Sequence, residues 1–353
     1  MTTPEEQARA EADAAWLRTT VMSGFLLSQI AGTLTRVGAV DALGERSGTA
    51  EEVARDTGTH APSLRRLLRA GCVLGLVTTG EGGRFALTPF GAEFRRGTPA
   101  RLAADLYGTP ALWDAFGALE DAVRTGTPAF EKRHGTGFYE SFAADEALGE
   151  RFTAAMASGT AAQAPLVADS CDWGRFAHVV DVGGGDGTLL AAILAAQPGL
   201  HGTLYDRPEA LRPAPDTLKS AGVAGCCTLL EGDFLASVPA GGDAYLLRNI
   251  LHGLDDASCV RVLDLCRGAA GPDGTVLVAT LLLPREGETV EAAGVLHTML
   301  SDIETLTLTS GRERTLAEYE ELLGRAGLRC KKVTELAGLP CHAVLEAVPD
   351  LGA

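Results

Sequence analysis

Apolar residues at Leu26, Leu27, Ile30, Leu34 and Val37 recur at spacings of three and four, the stripe of a helix that packs on another helix. Thr49-Ala-Glu-Glu52 has the form of a capping box and predicts the start of a short helix. A second helix begins near Thr59, tolerates Pro62 in its first turn, and carries Leu64, Leu67, Leu68, Cys72 and Leu74. The stretch from Leu76 to Thr88 turns around Gly80-Glu-Gly-Gly83 and predicts a β-hairpin. Helix, turn, helix, hairpin is the order of a winged helix. Arg65, Arg66 and Arg69 on the second helix would suit a DNA-binding module. The surrounding acidity favours the other use of this motif, dimerisation.

From about residue 100 to 165 the pattern is helical and aromatic-rich, and from about 175 short β-branched runs alternate with helical segments. The strands predicted are 178–183, 201–206, 226–232, 244–249, 275–283, 330–336 and 342–348. Helices between them imply a parallel sheet covered on both faces. The expected divisions are 1–105 for the winged-helix part, 106–170 for connecting helices, and 171–353 for the α/β part.

Composition narrows the partners. A net charge of −16 over 353 residues argues against nucleic acid, and basic residues cluster only in short pairs such as Arg65-Arg66 and Lys331-Lys332. The acidic start lacks a secretory apolar core, and the longest apolar run, Val276–Leu283, is too short for a bilayer. The eight cysteines lack metal-ligand spacing. A cytoplasmic protein with reduced thiols, no metal and no membrane contact is expected.

The most informative run is Val179-Val-Asp-Val-Gly-Gly-Gly-Asp-Gly187, a strand leading through glycines into the apolar helix Leu189–Leu194. Such a turn brings backbone close to a nucleotide-like ligand, and nicotinamide, flavin and S-adenosylmethionine sites share it. Asp206 ends the next strand about 20 residues on, where a carboxylate accepts from ribose hydroxyls; a turn-forming Asp ahead of Pro208 is the plainer reading. Gly232-Asp-Phe234 ends the following strand with a carboxylate and a ring together, which suits an adenine amino group and an adenine face. His252 falls after the next strand, in the turn before a helix that Asp255 or Asp256 caps. That is the sheet edge where α/β proteins place chemistry, although an exposed loop histidine would look the same.

Asp181-Val-Gly-Gly-Gly-Asp-Gly187, Gly232-Asp-Phe234, Arg248-Asn-Ile-Leu-His-Gly-Leu-Asp-Asp256 and Gly311-Arg-Glu-Arg-Thr315, in this order, resemble the S-adenosylmethionine-dependent O-methyltransferases of the plant caffeic-acid type and their bacterial natural-product relatives. The likeness spans nearly the whole chain. It implies a class I methyltransferase, a Rossmann-like and mostly parallel seven-stranded sheet, behind an N-terminal all-α, winged-helix dimerisation domain. It implies a homodimer, with N-terminal residues such as Trp16 or Phe25 reaching the partner's site.

By this resemblance Gly183, Gly184 and Gly185 pass under the methionine part of S-adenosylmethionine, Asp206 holds the ribose, Asp233 the adenine amino group, and Phe234 packs on the ring. Arg248, with Met156 and Thr160, belongs to the methionine end. His252 takes the general-base position, with Asp302 or Glu313 holding its tautomer and Asp302 preferred. Leu254 replaces the tryptophan that covers the adenine in plant relatives. An in-line methyl transfer needs no metal, and a phenol of pKa about 10 is within reach of an imidazole of about 6.5 where an aliphatic alcohol is not. Trp113, Phe116, Phe130, Tyr139, Phe142, His297 and Met299 are candidates to line the pocket of a flat aromatic substrate, or else plain core. Three rival readings remain: the same fold and cofactor supporting hydroxylation, decarboxylation or a pericyclic step; a ligand-sensing winged-helix regulator; and a nicotinamide enzyme, which Gly232-Asp-Phe234 fits poorly.

Overall fold

The structure, a computed structural model, describes residues 4–285 and 292–352. The chain forms two compact units, Met1–Trp113 and Asp114–Ala353. The helices expected over 106–170 are therefore shared between them.

In the first unit the predicted stripe lies on a helix that runs from Pro4 to Arg36. Leu34 is buried among Val40, Leu43, Val53, Leu64 and Leu68, with Ile30 and Val37 packed beside it. Towards the amino end the same helix leaves Leu17, Val21, Met22 and Phe25 exposed, and with them Leu26, which the stripe had placed on the packed face; the side chain of Trp16 lies outside the described residues. The capping box at Thr49 is complete: its hydroxyl accepts from the Glu52 N–H, and the Glu52 carboxylate accepts from the Thr49 N–H. The second helix is Ala61–Val73, with Pro62 in its first turn. Strands β1 (Val77–Thr79) and β2 (Phe85–Leu87) pair antiparallel as the wing, and a bridge from Gly48 to Phe85 ties the wing to the helices. Of the three arginines on the second helix, Arg65 is taken up by an ion pair with Glu51.

The second unit holds β3 (His178–Val182), β4 (His201–Asp206), β5 (Cys227–Glu231), β6 (Ala244–Arg248), β7 (Thr275–Leu283), β8 (Arg314–Thr315), β9 (Leu328–Glu335) and β10 (His342–Pro349). The order is β5-β4-β3-β6-β7-β10-β9, with the two-residue β8 added parallel to the end of β7. All seven predicted strands are present. The first five are parallel, while β10 runs antiparallel to both β7 and β9. One face is covered by Glu146–Asp169 and Thr188–Ala196, around Trp173, Ile193 and Leu204. The other is covered by Asp256–Ala270 and Leu316–Arg325, around Tyr245, Val262 and Tyr319. Strand order reverses between β3 and β6, and it is past the carboxyl ends of strands at such a reversal that open α/β sheets bind ligands.

Candidate active site

Gly183 and Gly185 adopt φ of 71° and 60° in the turn after β3, a region that glycine enters at little cost. A Cβ on Gly183 would stand 2.4 Å from Ile250 Cδ1 and 3.3 Å from Phe234 Cε1. One on Gly184 would stand 2.4 Å from Leu204 and 2.5 Å from Asp181 Oδ2, so this turn holds glycine because side chains on β3 and β4 and after β5 and β6 close in around it. Asp206 Oδ2 accepts from the Gly185 N–H at 2.8 Å, and its Oδ1 accepts from the Arg207 N–H at 2.7 Å. Burial raises its pKa, and these two donors oppose the rise. Asp233 is exposed and accepts from the Leu235 N–H at 2.9 Å, fixing the turn that presents Phe234 beside Gly183.

Arg248 ends β6 with its guanidinium pointed at the helix Glu146–Asp169. Its Nη1 donates to Thr160 Oγ1 at 2.8 Å and its Nη2 to Gln163 Oε1 at 2.6 Å, and the Thr160 hydroxyl donates to the Met156 carbonyl. Burial lowers the pKa of Arg248 and the Asp181 carboxylate opposes the fall. Arg248 and Thr160 thus meet through their side chains, Met156 enters only through its main-chain carbonyl, and Gln163 is an addition the sequence did not suggest.

The chain then turns on Asn249, which sits at φ 52°, a left-handed conformation asparagine tolerates better than most residues, and delivers His252 on the short turn Leu251–Gly253. His252 Nδ1 is 2.8 Å from Glu313 Oε1. The same oxygen accepts from Ser301 Oγ at 2.6 Å, and Glu313 is buried with Oε2 unpaired. The acid that meets the ring is Glu313 and not the expected Asp302, whose Oδ1 accepts from the Glu313 backbone N–H at 2.9 Å and so positions that carboxylate. Asp302 lies on the helix Ala292–Leu308 and Glu313 follows it, so which of these two acids reaches the imidazole depends on how that helix docks.

Arg314, fully buried, is a second residue that sequence reasoning passed over. Its guanidinium donates to the Leu251 carbonyl at 2.9 Å, the Leu254 carbonyl at 2.9 Å and Asp256 Oδ1 at 2.7 Å, gripping both sides of the His252 turn. Gly311 packs on the same turn so closely that a Cβ would lie 1.9 Å from the His252 carbonyl oxygen.

The aromatic candidates separate. Tyr139 faces the His252 turn, its hydroxyl 3.2 Å from the position a Cβ on Gly253 would take, and burial pushes its pKa up to about 12. Phe142 belongs to a cluster of mostly edge-on rings with Phe138, Tyr139 and Phe152. Phe130 is 1 % exposed and edge-on to Phe138, which makes it core with no surface to offer a ligand. Phe116 is partly buried in the second unit, whereas Trp113 belongs to the first. Met156, His297 and Met299 are exposed, the last two on the helix Ala292–Leu308 that carries Ser301. A cavity of about 330 Å³ at the opposite, amino edge of the sheet, beside His178, His201, Cys226 and Cys227, contains none of these groups.

Five parallel strands reversing at β3 and β6, an antiparallel β10 set between β7 and β9, and a glycine turn, an acid and a ring gathered at the reversal are the arrangement of a class I methyltransferase. A family model for the O-methyltransferase domain matches residues 116–329, and one for the O-methyltransferase dimerisation domain matches residues 19–96. The chain belongs to this family of S-adenosylmethionine-dependent O-methyltransferases. O-demethylpuromycin-O-methyltransferase of Streptomyces alboniger is 35% identical to it, over 94% of this chain and 88% of the relative. The structure of the mitomycin 7-O-methyltransferase MmcR superposes with a TM-score of 0.89 at 32% identity, covering 97% of this chain and 99% of that one. NcsB1, an O-methyltransferase from neocarzinostatin biosynthesis solved with S-adenosylmethionine and 2-hydroxy-5-methyl naphthoic acid, superposes with a TM-score of 0.76 at 33% identity, covering 91% and 95%. Among the described residues no helix is long and apolar enough to cross a membrane, and no group of three or more His, Cys, Asp or Glu could hold a metal.

Proposed function

We propose that the enzyme methylates a phenolic hydroxyl on an aromatic or polycyclic small molecule, with His252 as the base. One observation carries this reading: Glu313 Oε1 lies 2.8 Å from His252 Nδ1. A buried carboxylate accepts and does not donate, so the ring proton belongs on Nδ1 and Nε2 is left as the free lone pair. An acceptor hydroxyl within reach of Nε2 gives up its proton there as its oxygen attacks, and Glu313 stabilises the imidazolium that forms. NcsB1 is bound to a hydroxynaphthoic acid, and we carry the aromatic hydroxyl of that ligand to this chain.

We place the methionine part of S-adenosylmethionine over Gly183, Gly184 and Gly185, on a turn that is packed by side chains at Gly183 and Gly184 and open at Gly185. In this reading Asp206 takes the ribose, Asp233 the adenine amino group and Phe234 the adenine face, while Arg248, Thr160 and Met156 border the methionine end. Bound there, S-adenosylmethionine supplies a methyl group already activated on a sulfonium. The residues around it contribute position, which lowers a barrier by roughly 7–11 kcal/mol when the alignment is held. Tyr139 and Phe142, with Met156, Met299 and His297, are the lining we assign to the acceptor. We assign the exposed Leu17, Val21, Met22 and Phe25 to the contact of a homodimer, the last three of them within the matched dimerisation domain, and the cytoplasm as the place of action.

The test is incubation of wild type and His252→Ala with S-adenosylmethionine and a panel of polycyclic phenols, read by mass spectrometry and by titration calorimetry of S-adenosylhomocysteine. Methylated product from wild type alone, with cofactor bound by both proteins, is the expected result. Cofactor binding without methylated product from any phenol would move the chain to the non-methylating reading.

A further inference from the structure

A second imidazole with a fixed tautomer stands at the same sheet edge. His297 and Ser301 are one turn apart on the helix Ala292–Leu308, so they share a face, and Ser301 looks onto Glu313. The ring of His342 lies parallel to that of His297, 4° between planes and 6.0 Å between centroids. His342 opens β10 opposite Leu281 of β7, and the next two residues of β7 pair with Arg314 and Thr315, directly after Glu313. The end of β7 is thus bordered by both the Glu313 segment and His342.

His342 Nδ1 is 2.9 Å from the Pro340 carbonyl oxygen, which can only accept. The proton therefore sits on Nδ1, and Nε2 of the neutral ring carries a bare lone pair. Burial holds the pKa of His342 below the ordinary imidazole value, and the hydrogen bond to the Pro340 carbonyl, with the Glu313 carboxylate, opposes the fall. The ring is held in place at some conformational cost. Cys341, just before it, sits at φ 63°, and among the described residues only Asn249, in the His252 segment, shares a positive φ without being glycine.

We propose that His342, backed by His297, selects the acceptor by receiving a hydrogen bond at Nε2 from a second donor group on the aromatic ring system, a hydroxyl or an amino group. The inference rests on the methyl-transfer reading for the location of the acceptor pocket. Its substrate class is dihydroxy or amino-hydroxy aromatics rather than monophenols. A carboxylate would need the ring protonated, against the burial and the nearby Arg248 guanidinium.

The experiment is equilibrium binding of 2,3-dihydroxynaphthalene, 2-naphthol and 3-hydroxy-2-naphthoic acid to the full-length enzyme saturated with S-adenosylhomocysteine, for wild type, His342→Phe and His342→Leu. Wild type is expected to favour the diol over 2-naphthol by about tenfold, the worth of one net hydrogen bond. Either variant should bring that ratio to about one while leaving 2-naphthol affinity within about twofold. A preference that survives in both variants, or is absent from wild type, overturns the proposal. So does a wild-type preference for the naphthoic acid that the variants lose, which would make His342 a cationic residue. Methyl transfer is measured separately on wild type. A diol preference lost in the variants with no methyl transfer refutes the reaction and leaves the recognition standing; methyl transfer with an unchanged ratio does the reverse.

Discussion

Glu313 Oε1 and His252 Nδ1 are 2.8 Å apart, and Ser301 Oγ, 2.6 Å from that same oxygen, keeps the carboxylate turned towards the ring. Asp302 acts one step further back, on the Glu313 backbone. His252→Ala should lower kcat/KM by about 10²–10⁴-fold, the usual contribution of a general base. Glu313→Ala should cost about 10–100-fold, the worth of a hydrogen bond to a charged group, and Asp302→Ala less than Glu313→Ala. Steady-state kinetics on the three variants, with cofactor KM unchanged, checks the ranking. A larger loss in Asp302→Ala than in Glu313→Ala would reverse the assignment.

Arg314 fixes the turn on which His252 sits. Its partners are two carbonyls of that turn and Asp256, whose pKa the Arg314 hydrogen bond lowers. Asp256 is 40 % exposed, so water can serve it when Arg314 is gone, and the larger cost falls on the carbonyls of Leu251 and Leu254. Arg314→Met should destabilise by about 2–3 kcal/mol in urea titration and lower kcat as well. Arg314→Lys should not rescue it, because one ammonium cannot span three acceptors arranged for a planar fork.

The glycine turn separates two effects in one series. Gly185 has open space where a Cβ would go and only its φ of 60° against substitution, so Gly185→Ala should cost about 1 kcal/mol and leave a measurable site. Gly183→Ala adds a 2.4 Å clash with Ile250 to the positive φ. It should weaken S-adenosylhomocysteine binding by more than about tenfold relative to Gly185→Ala in calorimetry. Equal affinities would mean that the turn gives way without moving Ile250 or Phe234.

The sequence carried most of this fold because its signals are local. Val179–Val182 and Val276–Leu283 are apolar runs of strand length, and the Thr49 capping box needs only four residues. What escaped depends on docking between distant segments. Two-residue β8 exists only because Arg314–Thr315 lands beside β7, and the reversal of β10 leaves no trace in its periodicity. Arg314 reads as a surface charge in Gly311-Arg-Glu-Arg-Thr315 until the Leu251 and Leu254 carbonyls are seen around it. Phe130 and Tyr139 are both plausible pocket rings from sequence, yet one is core and the other meets the His252 turn. His342 went unnoticed because nothing in Pro340-Cys-His342 announces the ring of His297, forty-five residues earlier in the chain.

Asp181 gives the pH dependence a sign. It lies in the middle of β3, between Leu204 of β4 and Leu246 of β6, buried, with Oδ2 unpaired. Burial first, then the nearby Asp206 carboxylate, raise its pKa from 3.8 to about 7, and Arg248 offsets part of the rise. The folded state therefore holds a proton that the unfolded chain releases near pH 3.8. Its contribution to stability is whole below that pH, is lost as pH rises to about 7, and stays lost above it. The full loss is of order 4 kcal/mol, at about 1.36 kcal/mol per pH decade. Asp181→Asn cannot ionise and escapes it. In urea unfolding at pH 5, 6, 7 and 8, the variant should gain on wild type step by step up to about pH 7, after which the difference holds constant. Titrating groups that do not interact with Asp181 cancel in that difference. Parallel stability curves for the two proteins would mean that Asp181 is already ionised in the folded enzyme, with Arg248 as the cation that holds it so.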